Sequence, residues 1–477
     1  MNRGHEMFKF SESPKILPPL DHHFKPAILA HQGFLNAVKK SKNPEDVIIA
    51  VKRENGLIST FKTQIFHESE RLESSNIYFL ERLIKSLLWI KGGYEISFSG
   101  PRYLGDFIKS AYHTTGMRAF DEAFMRRVYE QPFKVNLVSY ENAPLANEKS
   151  KPLGRNLKGY RIGFDAGGSD RKVSAVVDGI PIYSEEVIWN PKLESDPKYH
   201  YEGILSSMKT AASKMPQVDA IGVSSAGIYI DNKIKAASLF IKVNETDFDQ
   251  HVKHMYLDIA KALGDIPIEV ANDGDVTALA GAMSLNENKV LGIAMGTSEA
   301  AGYVDEKGHI TGWLNELAFV PVDYHPLAAR DDWSNDIGCG VQYFSQDAVI
   351  RLASQAKIDL DATKSPAEKL SYVQSLVEKD DPRAKDIFAT IGVYLGYTIP
   401  YYALFYDIKE ILILGRVTSG KGGNIILNEA QRVLKHVFPK LAKQVRISLP
   451  DEKNKRVGQS IAAASLVNLD KGASHEL

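Results

Sequence analysis

The sequence predicts an α/β architecture, with sheets covered by helices, and three observations predict it. After about residue 158, β-rich runs alternate with stretches of helical periodicity. Apolar residues make up 44% and charged residues 25% of the 477 positions, the balance of a folded globular chain. At roughly 150 residues per domain, that length suggests two to four domains. Glycine-rich turns also recur in strand–turn–strand contexts.

Residues 1 to about 25 hold three prolines and clustered histidines and read as loosely structured. His22 and His23 lack further spaced ligands and read as solvated surface. The run 47–66 reads as strand, turn, strand around Glu54-Asn55-Gly56, because Asn-Gly is a strong hairpin signal. The run 76–93 carries Phe79, Leu80, Leu83, Ile84, Leu87 and Leu88 at helical spacing and stops at Gly92-Gly93. "YEISFSG" alternates like a strand, while "YLGDFIKSAY" and "RAFDEAFMRRVYEQPF" read as helices, giving a mixed α/β region over 26–135. The polar stretch 140–158, with two prolines, is the linker candidate.

Beyond it, "GYRIGFDAGG" and "KVSAVVDG" pair as strands and "IPIYSEEVIW" continues them. A helix follows at about 201–214, then the strand "VDAIGVSSAG" and the helix "FDQHVKHMYLDIAKALG". "IPIEVANDGD" ends a strand and "VTALAGAMSL" begins a helix. "KVLGIAMGTSEAAGYVD" is a second strand–turn–strand, helices dominate 346–405, "EILILG" enters a glycine-rich turn, and "VGQSIAAASLVNL" is the last helix.

Composition excludes several classes. A formal net charge of −1 argues against a large nucleic-acid footprint. Cys339 is the single cysteine, so neither an internal disulfide framework nor a cysteine-based zinc cluster is available. The start has no apolar core of the signal-peptide kind, and the apolar runs are too short to span a bilayer. A cytoplasmic enzyme or binding protein fits these features, with neither nucleic acid nor membrane as partner.

In "FDAGGSDRKVSAVVDG" (164–179), Asp165, Gly167 and Gly168 stand between two strands. This is ordinary hairpin chemistry, since Gly and Asp favour turns. It is also the chemistry of a phosphate cradle, in which bare backbone N–H groups approach an anion. The turn has partners further on. "VANDGD" places Asn272 and Asp273 at a strand-to-helix junction, a second glycine turn covers 296–302, and a third starts at Gly415. Asp273 by itself reads equally as a helix N-cap.

The ordered set resembles the sugar kinase, hexokinase, actin and heat-shock ATPase superfamily, and within it the ROK family of bacterial sugar kinases and related repressors. The resemblance covers roughly residues 158–470. "GFDAGGSDRKVSAVVDG" resembles the family's first phosphate motif, "IGVSSAGIYID" its Gly-Pro-Gly segment, "VANDGDVTALAGA" its catalytic Asn-Asp helix start and "LGIAMGTSEAAGYV" its second phosphate motif. "TGWLNELAF" is similar to its sugar segment, "GCGVQYFSQDAV" to the end of its zinc segment, and "ILILGRVTSGKGG" to its adenosine turn.

The resemblance implies a two-lobed actin-like ATPase (ribonuclease H-like) fold plus an additional N-terminal α/β region. The implied division is 1–150 as accessory region, 158–272 plus 455–470 as first lobe, and 273–454 as second. It implies ATP and Mg²⁺, a small-molecule sugar substrate, and Asp273 as general base. Asn272 and Glu316 are then the sugar-binding pair. Gly167, Gly168, Ser169, Gly296, Thr297, Ser298 and Gly415 are nucleotide-binding, and Asp165 faces the metal. A homodimer is compatible with it.

The chain also departs from the family pattern. The first turn is longer and adds Asp170, Arg171 and Lys172; Lys172 or Arg171 could reach a phosphate, and Asp170 would repel one. Glu299 stands in the normally glycine-rich second loop, where a carboxylate is costly unless it holds a metal or points away. Phe319 replaces the family's sugar- and zinc-binding histidine, so no zinc is expected. Val341 replaces a sugar-contacting glutamate, with Gln342 adjacent. The N-terminal region does not read as a basic three-helix DNA-binding module. The resemblance implies ATP-dependent phosphorylation of a sugar or sugar-like hydroxyl. The alternative is a sugar- or nucleotide-binding sensor of the same fold without turnover.

Overall fold

The computed structural model describes residues 10–149, 152–450 and 455–469. In chain order the principal elements begin with α1 (Ala27–Lys40), β1 (Pro44–Lys52), β2 (Ile58–Phe66), α2 (Glu73–Lys91), β3 (Glu95–Ser99), α3 (Arg102–Ala111), α4 (Ala119–Tyr129) and β4 (Lys134–Leu137). The first lobe adds β5 (Tyr160–Ala166), β6 (Asp170–Val177), β7 (Ile180–Ile188), α5 (Pro197–Ala212), β8 (Ala220–Ser225), β9 (Ile228–Ile230), β10 (Lys233–Ala236), α6 (Met255–Ala262) and β11 (Ile268–Asn272). The second lobe runs through α7 (Asp273–Leu285), β12 (Val290–Met295), β13 (Glu299–Val304), α8 (Gln346–Gln355), α9 (Pro366–Glu378), α10 (Pro382–Tyr402), β14 (Glu410–Leu414), α11 (Gly420–Val437) and β15 (Arg446–Ser448). Last comes α12 (Lys455–Ala464).

The two lobes repeat one topology. In the first, the sheet order is β11-β8-β5-β6-β7, with β5 antiparallel to β6 and parallel to β8. In the second it is β13-β12-β14-β15, with β12 antiparallel to β13 and parallel to β14. Each lobe thus has an inner strand that turns back through a glycine loop into an antiparallel neighbour and has a parallel strand on its other side. The arrangement puts both loops at the carboxyl ends of parallel strands, where open α/β sheets form their crevices. The mixed α/β fold with two such lobes agrees with the expected architecture.

Helix α12 lies directly on the first sheet. A Cβ at Gly163 would stand 1.9 Å from the Ser460 carbonyl oxygen, and one at Gly222 1.6 Å from that of Ala463, so only glycine permits this approach. Close packing there brings Gln459 to the strand ends.

The N-terminal sheet, β2-β1-β3-β4, and its helices share one continuous apolar core with the second lobe, through Leu88, Trp89, Phe319, Tyr394 and Phe388 among others. The early segment has no regular element over 10–25 and is nevertheless docked. Ile16 N–H donates to the Tyr397 hydroxyl at 3.1 Å, Leu20 N–H to Thr390 Oγ1 at 3.1 Å, and Phe24 is buried. His22 and His23 are exposed. The linker is likewise held to the N-terminal sheet: Asn147 exchanges backbone hydrogen bonds with Ile58, and Glu148 pairs with Arg53 at 2.7 Å.

Several boundaries differ from expectation. The residues read as a turn after "EILILG" open α11, whose Gly422 and Gly423 lie in its first turn against the Phe388 ring and the Thr418 carbonyl. The β9–β10 hairpin, turning at Asp231 and Asn232 with positive φ of 50° and 62°, and strand β4 were not anticipated. The last helix stops at Ala464, short of the predicted end.

Candidate functional site

The first glycine turn closes tightly. Gly167 N–H donates to the Asp170 carbonyl at 3.0 Å, and the Gly167 carbonyl accepts from Trp189 Nε1 at 2.8 Å. Gly168 and Ser169 are exposed at its tip. The inserted charges are accounted for. Asp170 pairs with Lys172 at 2.9 Å. Arg171 faces the opposite side of β6, where its Nε donates to Ser207 at 2.9 Å and its guanidinium lies 5.4 Å from the centre of the Trp189 ring.

Asp165 is buried one residue before the end of β5. Its Oδ1 accepts from Ser224 Oγ at 2.9 Å and from Gln459 Nε2 at 3.3 Å. Burial pushes its carboxyl up to about 6, against the pull of Ser224 and Lys172, with Asp273 and Asp170 adding to the rise. A carboxyl held near neutrality by burial and neighbouring anions is stabilised in its charged form by a cation. The environment fits a hydrated Mg²⁺, which takes few protein carboxylates and keeps its waters.

Asn272 and Asp273 divide the roles at the strand-to-helix junction. The N-cap of α7 is Asn272: its Oδ1 accepts from Gly274 N–H at 2.7 Å and its Nδ2 donates to the Gly227 carbonyl at 2.7 Å. Asp273 is the first helical residue, and its Oδ1 shares the Gly274 N–H at 3.1 Å. Burial raises its carboxyl, opposed by the Gly274 hydrogen bond and by the positive charge of Lys192. Asp273 and Glu316 are half-buried.

Glu316 comes from a segment gripped by the N-terminal region. Asn315 N–H donates to the Ile90 carbonyl and Glu316 N–H to the Trp89 carbonyl, each at 3.0 Å. Burial pushes the Glu316 carboxyl up to about 7, and the charges of Asp273 and Asp275 push the same way. The positive charge of Lys192 thus acts on Asp273, and the negative charge of Asp273 on Glu316. Asp275, two residues into α7, accepts from Tyr303 N–H at 3.2 Å and from Asn315 Nδ2 at 2.9 Å.

In the second turn, Gly296 N–H donates to the Ser298 carbonyl at 3.0 Å and its own carbonyl accepts from Gln346 N–H at 2.9 Å, while Thr297 and Ser298 are exposed. Gly415 ends the neighbouring parallel strand with φ of 99°, and a Cβ there would lie 2.4 Å from the Met295 carbonyl oxygen. The turn at Gly415 and the second glycine turn are thus packed together. Glu299 points away from the turn into the second lobe. It is buried beside Gly340, its Oε1 accepts from the Tyr402 hydroxyl at 3.4 Å, and burial pushes its carboxyl up to about 8.

The surroundings of Phe319 and Cys339 do not fit a structural zinc. The Phe319 ring stacks 4.2 Å from Trp89 and 5.7 Å from Phe120, and the buried Cys339 thiol has Ser334 Oγ at 3.9 Å. Among the described residues no three His, Cys, Asp or Glu side chains gather as a metal-binding group. The same loop is held by charge. Asp336 is paired with Arg82 at 3.2 Å, Lys85 at 2.8 Å and Arg118 at 2.7 Å, all three from the N-terminal region and all nearly fully buried.

The fold defines a class, that of two-lobed α/β proteins with a glycine turn at the head of each lobe. Within it, the chain has the fold of ROK family proteins. It superimposes on a ROK family transcriptional regulator, a homolog of the E. coli MLC protein, with a TM-score of 0.50 and 16% identity over 65% of this chain and 79% of that one. It is also similar to a ROK hexokinase from Thermus thermophilus, with a TM-score of 0.49 and 17% identity over 64% of this chain and 98% of that one. A ROK family glucokinase from Streptomyces griseus, solved with glucose and AMPPNP, matches with a TM-score of 0.47 and 19% identity over 64% and 98%. No family profile and no curated protein matches the chain by sequence. No described helix is long and apolar enough to cross a membrane.

Lys192, Asp275, Asn315, Ser224 and Gln459 were not anticipated as site residues. Ser224, Asp275 and Asn315 lie within the quoted motifs, but their contacts do not follow from the motif pattern, and Lys192 and Gln459 reach the site only through the fold.

Proposed function

We propose that the protein phosphorylates a sugar or sugar-like hydroxyl with ATP, using Asp273 as general base. The observation that carries this reading is that Asp273 follows Asn272 at the same edge of the first sheet as the first glycine turn, since Ala166 and Asn272 both pair with Ser225, while Asp275 of the same helix is hydrogen-bonded at 2.9 Å to Asn315, the neighbour of Glu316. A base between a phosphate side and a hydroxyl-binding side is the arrangement phosphoryl transfer needs.

A sugar hydroxyl is a weak nucleophile, and a carboxylate within hydrogen-bond reach accepts its proton as the transfer proceeds. Glu316 accepts from neighbouring hydroxyls and orients the acceptor. Asn272 already caps α7 and ties to Gly227, so a bond to the acceptor uses its second N–H or the remaining lone pair of Oδ1. Transfer otherwise depends on positioning and on neutralising charge. Gly167, Gly168 and Ser169 offer backbone and hydroxyl donors from the first lobe, and Gly296, Thr297 and Ser298 from the second. Gly415 lets the adenosine approach the backbone beside them. Asp165 orients the hydrated Mg²⁺ that accompanies ATP. When bound, that ion supplies charge neutralisation at the phosphates.

The departures at Glu299 in the second loop, and at Phe319 and Val341 where the family contacts its sugar, favour the sensor reading. With Glu299 turned into the lobe interior, no carboxylate from that position confronts the phosphates, and this favours the enzyme. A coupled ADP-release assay over a panel of sugars and amino sugars tests the reading. Acceptor-dependent ADP release is expected. Binding of sugar and nucleotide without release would replace the enzyme by the sensor.

A further inference from the structure

The sequence after β7 folds back over the first glycine turn and is fastened there. Trp189 N–H donates to the Ser169 carbonyl at 3.1 Å, and Trp189 Nε1 to that of Gly167 at 2.8 Å. Asn190 N–H donates to the Tyr199 hydroxyl at 3.1 Å. The fully buried His200 ring lies 3.0 Å from the Pro191 carbonyl through Nε2 and 3.2 Å from the Asp196 carbonyl through Nδ1. The backbone on both sides of Lys192 is thus fixed relative to the turn, and Leu193 N–H closes the short helix Pro191–Leu193 on the Asn190 carbonyl at 3.1 Å.

Lys192 itself is exposed. A Cβ on Gly168 would lie 3.4 Å from its Cε and 3.6 Å from its Nζ. Among the described residues it forms no ion pair, whereas the neighbouring cation Lys172 is engaged with Asp170 at 2.9 Å. Within the turn itself Asp170 and Lys172 offset each other as an ion pair. Lys192 is the ammonium left over, poised above bare backbone.

We propose that Lys192 is a phosphate-binding residue that clamps the transferred phosphoryl group of ATP against the Gly168 backbone. The inference rests on the kinase reading and adds a cation to it. In the transfer, the bond from the acceptor oxygen to phosphorus forms while the bond from phosphorus to the bridging oxygen of the diphosphate breaks. The acceptor proton passes to Asp273, and ADP leaves with the bonding electrons. Lys192 offsets the negative charge on the phosphoryl oxygens through this exchange, the kind of preorganised donor whose loss costs roughly 10²–10³ in rate. A lysine suits the task as a compact point charge.

Lys192→Met and Lys192→Arg test this, with calorimetric titration of AMP, ADP and ATP in Mg²⁺, single-turnover transfer and thermal melts. We expect Lys192→Met to melt like the parent and to bind AMP unchanged. It should bind ATP about tenfold or more weakly and transfer about 10²-fold or more slowly, with Lys192→Arg restoring most of both. A parent that binds Mg²⁺-ATP together with a Lys192→Met variant that binds and transfers equally well would overturn the role of Lys192 and leave the kinase reading standing. A parent with no affinity for any of the three nucleotides would overturn both.

Discussion

The Asp275 carboxylate accepts a hydrogen bond from the Asn315 amide at 2.9 Å, and through it the helix that begins with Asp273 is joined to the segment that carries Glu316. Asn315 Oδ1 in turn accepts from the Tyr406 hydroxyl at 2.9 Å. All three side chains are buried, and burial pushes the Asp275 carboxyl up to about 7. The spacing of the proposed base and the proposed acceptor ligand is thereby set by a buried polar chain. Asn315 adopts φ of 53°, a left-handed conformation that asparagine tolerates better than most residues.

Asn315→Ala is expected to loosen that chain. It strains the backbone and removes a partner from a buried carboxylate, a change of about 1–3 kcal/mol in stability. Acceptor affinity should fall more than nucleotide affinity. Chemical denaturation alongside sugar and nucleotide titrations checks this, and equal losses for both ligands would show that the chain does not position Glu316.

The two glycines of the first turn should respond differently to valine. A Cβ at Gly168 meets only the end of Lys192, at ordinary contact distance, so Gly168→Val should fold with near-parental stability and lose nucleotide binding. A Cβ at Gly167 would lie 2.7 Å from the Asp170 carbonyl oxygen, so Gly167→Val should lower the melting temperature as well. A Gly168→Val variant that binds Mg²⁺-ATP like the parent would reduce the stretch to a plain hairpin.

Glu299 makes stability depend on pH. Its folded carboxyl, at about 8, lies above the usual carboxylate range, so the folded state holds a proton that the unfolded chain has released. Stability therefore falls as pH rises from the ordinary glutamate value through about 8 and levels off above it. Glu299→Gln should flatten that slope and stabilise the protein at pH 8 relative to pH 5, by on the order of 1 kcal/mol or more. Melts of both proteins across this range should diverge as pH rises, and parallel curves would contradict the buried setting of Glu299.

Trp89 serves the site through its backbone and the core through its ring. The carbonyl holds the Glu316 N–H, and the fully buried ring stacks on Phe319 while Nε1 donates to Asp121 at 2.7 Å. Trp89→Ala should cost about 3–5 kcal/mol and weaken acceptor binding in whatever fraction folds. Denaturant melts and sugar titration read the two effects separately.

Metal analysis of protein purified without a tag should find zinc well below one per chain. Cys339 is a lone thiol beside Ser334, and the Asp336 loop is held by Arg82, Lys85 and Arg118. One zinc per chain would require ligands that this arrangement does not offer.

Much of the frame was legible in the sequence because local signals agree with the fold. Asn55-Gly56 turns the first hairpin with positive φ at both residues, and the apolar spacing from Phe79 to Leu88 marks α2. The order of glycine turns and the Asn-Asp junction located the strand ends. Helix α11 was hidden because its first turn is built from Gly422 and Gly423, which look like loop and are there for close contact with Phe388 and Thr418. The dependence of Glu316 on Trp89, and of the first turn on Trp189, arises between residues separated in the chain. Neither periodicity nor motif encodes such a contact. The N-cap role, open to Asp273 on sequence, belongs to Asn272, which leaves the Asp273 side chain less committed to the backbone.

The most direct test is Asp273→Asn, assayed for phosphoryl transfer on every acceptor the parent uses and for sugar and nucleotide affinity. The substitution keeps the shape of the residue at the start of α7 and removes its capacity to take the acceptor proton. Transfer should fall by roughly 10²–10⁴, with sugar affinity within about tenfold of the parent. Near-parental turnover by the variant on those acceptors would contradict Asp273 as the base and, with it, the account of the site.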